Sequence, residues 1–357
     1  MSGMWGNKLK VSIFGESHGV GIGITIDGLP SGFEINMNEI LKEMARRAPG
    51  KSKLSTARRE TDSPEILSGY FEGKTTGTPL CAIIRNGDQH SKDYGKLKDL
   101  MRPGHADYPG NIRYNGFNDY RGGGHFSGRI TAPLVFAGAI CKQILESHGI
   151  FIGSHVKSIG EVEDKSFSEV ELTKELLDNL KTKELPVLFS DKEALMRETV
   201  LKAKTDLDSV GGTIECTVLG MNPGIGNPFF DSVESTLAHL MFSVPAVKGI
   251  EFGKGFEMTK LRGSDCNDEY YYDGDKVKTY TNNNGGITGG ITNGMPILFK
   301  VGIKPTASIA KKQRTINIDE KKDAELEIHG RHDPCIVQRA VPVIEAATAI
   351  GILDLIL

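Results

Sequence analysis

Cysteine is sparse and unpaired in this sequence. Its five cysteines, Cys81, Cys141, Cys216, Cys266 and Cys335, are scattered, odd in number and form no CxxC pair. That pattern argues against a disulfide framework or a zinc site and suits free thiols in a reducing compartment. A long apolar run is also missing. The best candidate, 340–357, contains Glu345 and Asp354 and reads as a core helix rather than a membrane span. Lys8 and Lys10 interrupt the only apolar stretch near the start, so a signal peptide is not expected. Nor is there an excess of one charge: 43 Lys and Arg against 46 Asp and Glu leave −3. Such a balance argues against a nucleic-acid or membrane-surface protein as a whole. The expectation is a cytoplasmic protein. No Pro- or Ser-rich linker divides the 357 residues, which favours one domain spanning 1–357.

Glycine is what the sequence has in excess: 43 residues, about 12% against a usual share of roughly 7%. The surplus is concentrated in RGGGHFSGR (121–129), GMNPGIGNP (220–228) and NNNGGITGGITNG (282–294). Loops of this kind let backbone amides approach a ligand closely. They are not nucleotide fingerprints. GxxxxGK[ST] is absent, and GVGIG at 19–23 has the wrong spacing for GxGxxG.

Alternation predicts strands at 9–14, 21–27, 65–71, 79–85, 212–219 and 296–303. Helical patterns run from Asn36 to about Arg47, Thr131 to Glu146, Ser190 to about Lys204, 231 to 242 and Gln338 to Ile356. Asn36 with Glu39 and Ser190 with Glu193 have the spacing of capping boxes. The strands do not alternate with single helices, so the pattern predicts α+β layers with antiparallel sheets rather than a doubly wound parallel sheet.

Several short motifs hold residues capable of chemistry. GESHG (15–19) puts His18 on a Gly-flanked turn after a strand, and RPGHADYPG (102–110) places His105 two residues before Asp107. Histidine is the side chain whose ordinary pKa suits proton transfer near neutrality. Each histidine also fits a plain surface turn, and Asp107 either orients the ring or caps the turn. Residues 46–59 hold Arg46, Arg47, Lys51, Lys53, Arg58 and Arg59 with no acid. Arginine forks in such a loop suit phosphate or carboxylate, although a solvated charged loop is the commoner outcome. An RNA-binding patch is a further reading, which lacks the expected interleaved aromatics. DYRGGGHFSGR (119–129) sets His125, Phe126, Ser127 and Arg129 ahead of a helix, a natural anion site. KPTAS (304–308) and GRHDPC (330–335) add hydroxyls, Arg331 and Asp333.

In this order the motifs, with RRAPGKSKLSTARRETD (46–62), AVKGIEFG (246–253) and GGITGGI (285–291), closely resemble the chorismate synthase family along essentially the whole chain. The resemblance implies a β-α-β sandwich with helices layered between antiparallel sheets, usually assembled as a homotetramer. It implies a 1,4-anti elimination of phosphate from 5-enolpyruvylshikimate 3-phosphate, giving chorismate without net redox change but requiring reduced FMN. By the same resemblance His18 protonates the departing phosphate, His105 keeps the reduced flavin in its useful protonation state, and Asp333 helps deprotonate flavin N-5. Flavin-binding positions map to His125, Phe126, Ser127, Pro245, Ala246, Gly289, Lys304, Pro305, Thr306, Ala307, Ser308 and Arg331. Arg47 and Lys53 match positions for anionic substrate or a reduced nicotinamide nucleotide, and Arg129 adds a substrate cation. NADPH as the flavin's reductant is left open. Three residues depart from the family pattern. His125 and Lys53 stand at common arginines, and Pro245 at a common asparagine. The alternative is an FMN-dependent oxidoreductase acting on an anionic substrate.

Overall fold

A computed structural model describes residues 3–50, 62–87, 98–328 and 333–357. Two five-stranded antiparallel sheets enclose a layer of helices. The first sheet contains β1 (Met4–Trp5), β2 (Lys10–Gly15), β3 (Gly21–Asp27), β4 (Pro64–Ser68) and β5 (Leu80–Arg85), in the order β1-β2-β3-β5-β4. The second contains β6 (Phe151–Ile159), β7 (Val162–Glu163), β8 (Gly212–Leu219), β9 (Val247–Phe252) and β10 (Ile297–Ile303), in the order β9-β10-β8-β6-β7. The helices are α1 (Met37–Arg47), α2 (Asp107–Arg113), α3 (Thr131–Ser147), α4 (Lys174–Thr182), α5 (Ser190–Thr205), α6 (Val233–Ser243), the one-turn α7 (Gly263–Cys266) and α8 (Val337–Ile356).

The α3–α8 pair fills the interlayer. α3 packs on β3 of the first sheet, and α8 packs on β6 and β8 of the second. Both helices are apolar nearly all round, the pattern of an element buried on every side. The segment 128–147 is long and apolar enough for a membrane span, but 83% of it is buried inside the protein. At the helix crossing, a Cβ on Gly138 would fall 2.3 Å from Ala346 Cα, so glycine permits this approach. The two acids in the closing helix are both satisfied. Asp354 Oδ1 accepts the backbone N–H groups of Asn7, Lys8 and Leu9 at 3.0, 2.7 and 2.7 Å. Glu345, fully buried, accepts from Arg46 Nη1 at 2.6 Å and from Lys142 Nζ at 2.5 Å. The five cysteines are free, and burial pushes the Cys216 and Cys335 thiols up to about 12.

The expected α+β sandwich is therefore present, with two differences at helix starts. Asn36 caps α1, accepting from the N–H groups of Asn38 and Glu39 at 3.0 and 3.4 Å. The reciprocal acceptor for the Asn36 N–H is Gln143, at 2.8 Å, while Glu39 pairs with Lys42. In α5 the cap is Phe189 and Ser190 is already helical, so no capping box forms. Glu193 instead pairs with Arg197 one turn on, at 2.7 Å.

Candidate active site

A cavity of about 1000 Å³ opens beside the first sheet, lined by Trp5, Ile13, the 122–131 turn, the end of α6, residues 244–248, the 304–308 loop and the start of α8. Among its described lining residues, the cations Arg47, Arg102, Arg129, Lys248, Lys304 and Arg339 face one carboxylate, Asp333. Apolar surface from Ile13, Leu134, Val244 and Val343 completes the wall. The cavity is built for an anion with a flat or apolar body.

The glycines of 122–124 set its geometry. All three have positive φ (59°, 86° and 52°), which an L side chain rarely adopts. They also leave room for two rings. A Cβ on Gly122 would fall 2.1 Å from His18 Cε1, and one on Gly123 would fall 3.0 Å from His105 Cε1. His18 is buried, and its Nδ1 lies 3.1 Å from Ser17 Oγ. His105 lines the cavity, with Nδ1 2.7 Å from Asp107 Oδ1. Burial alone would raise the Asp107 carboxyl, but hydrogen bonds from Arg102 and His105 outweigh it and hold the group well below the carboxylate range.

The anion-binding side rests on a second carboxylate. Asp62 accepts from Arg47 Nε at 3.1 Å and Arg47 Nη2 with one oxygen, and from Arg129 Nη1 with the other. Arg129 Nε reaches Asn86 Oδ1 at 3.1 Å. Burial would raise Asp62, yet the two guanidinium groups keep it below its ordinary value. Asp333 accepts from Arg339 Nη1 at 2.5 Å, and Arg339 Nε donates to the Arg47 carbonyl at 3.1 Å. The 304–308 loop is tied to the same group: Thr306 Oγ1 donates to the Asp333 carbonyl at 2.9 Å and Lys304 Nζ to the Gly104 carbonyl. Burial and nearby Lys248 lower the Lys304 ammonium. Ala246 has φ +73° and its carbonyl accepts from Lys304 N at 2.9 Å. Strain at a non-glycine residue is common where a ligand clamp is held rigid.

Most of the residues expected from sequence converge here. Arg47, His105, His125, Phe126, Ser127, Arg129, Pro245, Ala246, Lys304, Pro305, Thr306, Ala307, Ser308 and Asp333 all line the cavity. His18 stands just behind Gly122. His125 turns its Nδ1 to the Gly15 carbonyl at 2.9 Å, which fixes that nitrogen as the donor. Gly289 is the exception. It lines a separate depression with Phe229, Ser232, Phe252 and Gly290. Lys53 and Arg331 lie outside the described residues. Sequence reasoning assigned no role to Asp62, Arg102 or Arg339. Asp62 and Arg102 sit in quoted motifs, RRETD and RPGHADY, which were the available signal; Arg339 had none.

Together, the helix-filled double sheet and the cation-lined cavity, with His105 on its wall and His18 just behind it, define an α+β enzyme acting on a small anionic substrate. The chorismate synthase family model matches residues 9–357. The chorismate synthase of Pyrococcus abyssi is 47% identical over 353 residues, covering 98% of this chain and 96% of that protein. That of Dehalococcoides mccartyi is 44% identical over 359 residues, covering 100% and 97%. A crystal structure of a chorismate synthase aligns with a TM-score of 0.78 at 31% identity, covering 98% of this chain and 92% of that one. The chain belongs to the chorismate synthase family, the carbon–oxygen lyases that act on a phosphate ester in the shikimate pathway.

Proposed function

We propose that the chain eliminates phosphate from 5-enolpyruvylshikimate 3-phosphate to give chorismate, with reduced FMN held beside the substrate. The observation carrying this reading is the convergence of His105, Asp333, the 304–308 loop and a paired-arginine wall on one cavity. The donor set fits both ligands. Arginines and lysines suit the substrate's phosphate and two carboxylates and the flavin phosphate, and the apolar wall suits a flavin ring. A volume of about 1000 Å³ lies at the upper end of ordinary ligand pockets, leaving room for two molecules side by side.

When bound, reduced FMN supplies the electron density on which the elimination draws. The protein's part is electrostatic and acid–base. Arg47 and Arg129, held rigid by Asp62, present fixed positive charge to the substrate anions, favouring departure of phosphate. His18 protonates the leaving phosphate, and Ser17 Oγ at 3.1 Å orients the ring. Asp333, oriented by Arg339, receives a proton on its carboxylate. His105 exchanges a proton at its cavity-facing edge. The free thiols suit a reducing cytoplasmic setting, and a homotetramer is the expected assembly, which sedimentation would test.

The test is anaerobic. Substrate and chemically reduced FMN are added to the protein, and chorismate absorbance and free phosphate are followed together. Equal release of both, with the flavin still reduced, is expected. No phosphate would sink the reading. Stoichiometric consumption of added NADPH in place of elimination would favour an FMN-dependent oxidoreductase.

A further inference from the structure

Asp107 opens α2 and spends its acceptors behind His105. Oδ2 accepts from the Arg102 backbone N–H at 3.1 Å and from Arg102 Nε at 2.7 Å. Oδ1 accepts from Arg102 Nη2 at 2.8 Å and lies 2.7 Å from His105 Nδ1. Arg102 is a permanent cation paired with this carboxylate at 2.7 Å, which holds the carboxylate ionised, and an ionised carboxylate only accepts. The hydrogen on the His105–Asp107 contact therefore sits on Nδ1. Arg102 Nη2, 3.2 Å from the same ring nitrogen, could donate to it only if Nδ1 carried the lone pair; the shorter contact to the carboxylate, 2.7 Å, favours the hydrogen on Nδ1. In the neutral ring this leaves the lone pair on Nε2. That edge lies against Gly123, where a Cβ would come within 3.1 Å of Nε2. Arg102 Nη1 also reaches Ser308 Oγ at 3.3 Å, linking the ring's support to the 304–308 loop.

We propose that Asp107 and Arg102 are a positioning pair that fixes His105 as the Nδ1–H tautomer and turns Nε2 into the cavity as a proton acceptor. The proposal rests on reading the cavity as the flavin and substrate site. It gives His105 a direction of action. The ring takes a proton at Nε2 from a ligand held there, becomes the imidazolium that Asp107 stabilises, and returns the same proton through the same nitrogen. Nδ1–H never leaves its carboxylate.

The experiment is solid-state ¹⁵N NMR of histidine-labelled full-length protein, the His105 signal being identified by its loss in His105→Gln. At mildly alkaline pH the unaltered protein should show Nδ1 protonated and Nε2 bare. Asp107→Ala and the near-isosteric Asp107→Asn should both introduce a population protonated at Nε2. They should also lower kcat by about 100-fold, with the FMN dissociation constant moving less than about threefold, since a positioning loss falls on kcat rather than on binding. An Nε2–H ring in the unaltered protein would overturn the proposal. So would a fall in kcat in either variant with the Nδ1–H tautomer retained. The tautomer is read without turnover, so an unaltered protein that shows Nδ1–H yet releases no phosphate would sink the functional reading and leave the positioning pair standing.

Discussion

The ring of His18 occupies the space that a side chain on Gly122 would need, 2.1 Å from the ideal Cβ position to Cε1 and 2.2 Å to Nδ1. Gly122 also has φ +59°, a conformation that costs an L residue roughly 1–2 kcal/mol. Gly122→Ala should therefore displace the proposed phosphate-protonating ring while leaving the sheets intact. The expected loss in phosphate release is about 100-fold or more, with FMN binding largely kept. Gly263→Ala, where a Cβ meets nothing within 4 Å, is the control and should be silent.

Asp62 is the hinge of the anion wall, and its loss should be felt in stability as well as binding. It is 2% exposed, as is Arg47, and Arg129 is 9% exposed. Removing the shared carboxylate takes from two buried cations a counter-charge that both use, and breaking a buried pair typically costs about 3–5 kcal/mol. Asp62→Asn should lower the urea midpoint at pH 7 accordingly and weaken substrate binding. The Asp62 pKa is depressed in the folded state. Its contribution is thus full above the unfolded value of about 4 and fades as pH falls through the folded one. The stability gap between the two proteins should close on acidification. A gap that stays constant down to strong acid would refute this.

Glu345 offers a parallel test far from the proposed chemistry. Its carboxylate holds Arg46, Lys142 and the Ser154 N–H, at 3.1 Å, between the two sheets. Glu345→Gln should destabilise by about 1–3 kcal/mol, because buried Lys142 and half-buried Arg46 lose one of their two carboxylates and keep Glu43. Activity per folded molecule should remain near the unaltered value. A selective loss of turnover at unchanged stability would show that the network acts on the site instead.

The sequence was most legible where pattern and burial agree. The strand at 21–27 and the helices at 131–146 and 338–356 are apolar on the faces that meet the core, and they form as expected. The strand Phe151–Ile159 shows no clean apolar alternation, because FIGSHVKSI carries Gly, two Ser, His and Lys. His155, Lys157 and Ser158 find partners on neighbouring strands, which no local pattern announces. The site shows the same division. Motifs identified His18, His105 and Asp333, whereas Asp62 is defined by guanidinium groups 15 and 67 residues away along the chain. Arg339 is visible only once α8 folds back over Asp333. Gly289, grouped by resemblance with the cavity residues, lies in a different depression of the single chain.

Two carboxylates explain why the strand Phe151–Ile159 tolerates the buried ring of His155. It is fully buried, with Nε2 2.9 Å from Glu215 Oε2 on β8 and Nδ1 3.5 Å from Asp164 Oδ2. The second distance is that of an ion pair rather than a good hydrogen bond. Ser166 Oγ and Phe167 N satisfy Glu215 further, at 2.6 and 2.7 Å, and Phe167 packs edge-on against the imidazole at 4.5 Å. Burial disfavours the charged ring, but the two carboxylates prevail and raise its pKa. A raised value means the ring stabilises the fold fully below the unfolded pKa of about 6.5, and this contribution drains away as pH climbs through the folded value. Asp164 and Glu215 are lowered against the same burial, so their share is present above about 4 and is lost on acidification. His155→Gln should therefore cost about 3–5 kcal/mol near pH 6, where it strands two buried carboxylates. The cost should shrink towards alkaline pH, where the unaltered ring also loses its charge. Urea unfolding of both proteins at pH 6 and pH 9 measures it; an equal difference at the two pH values would mean that the charge on His155 does not change between them, against this reading.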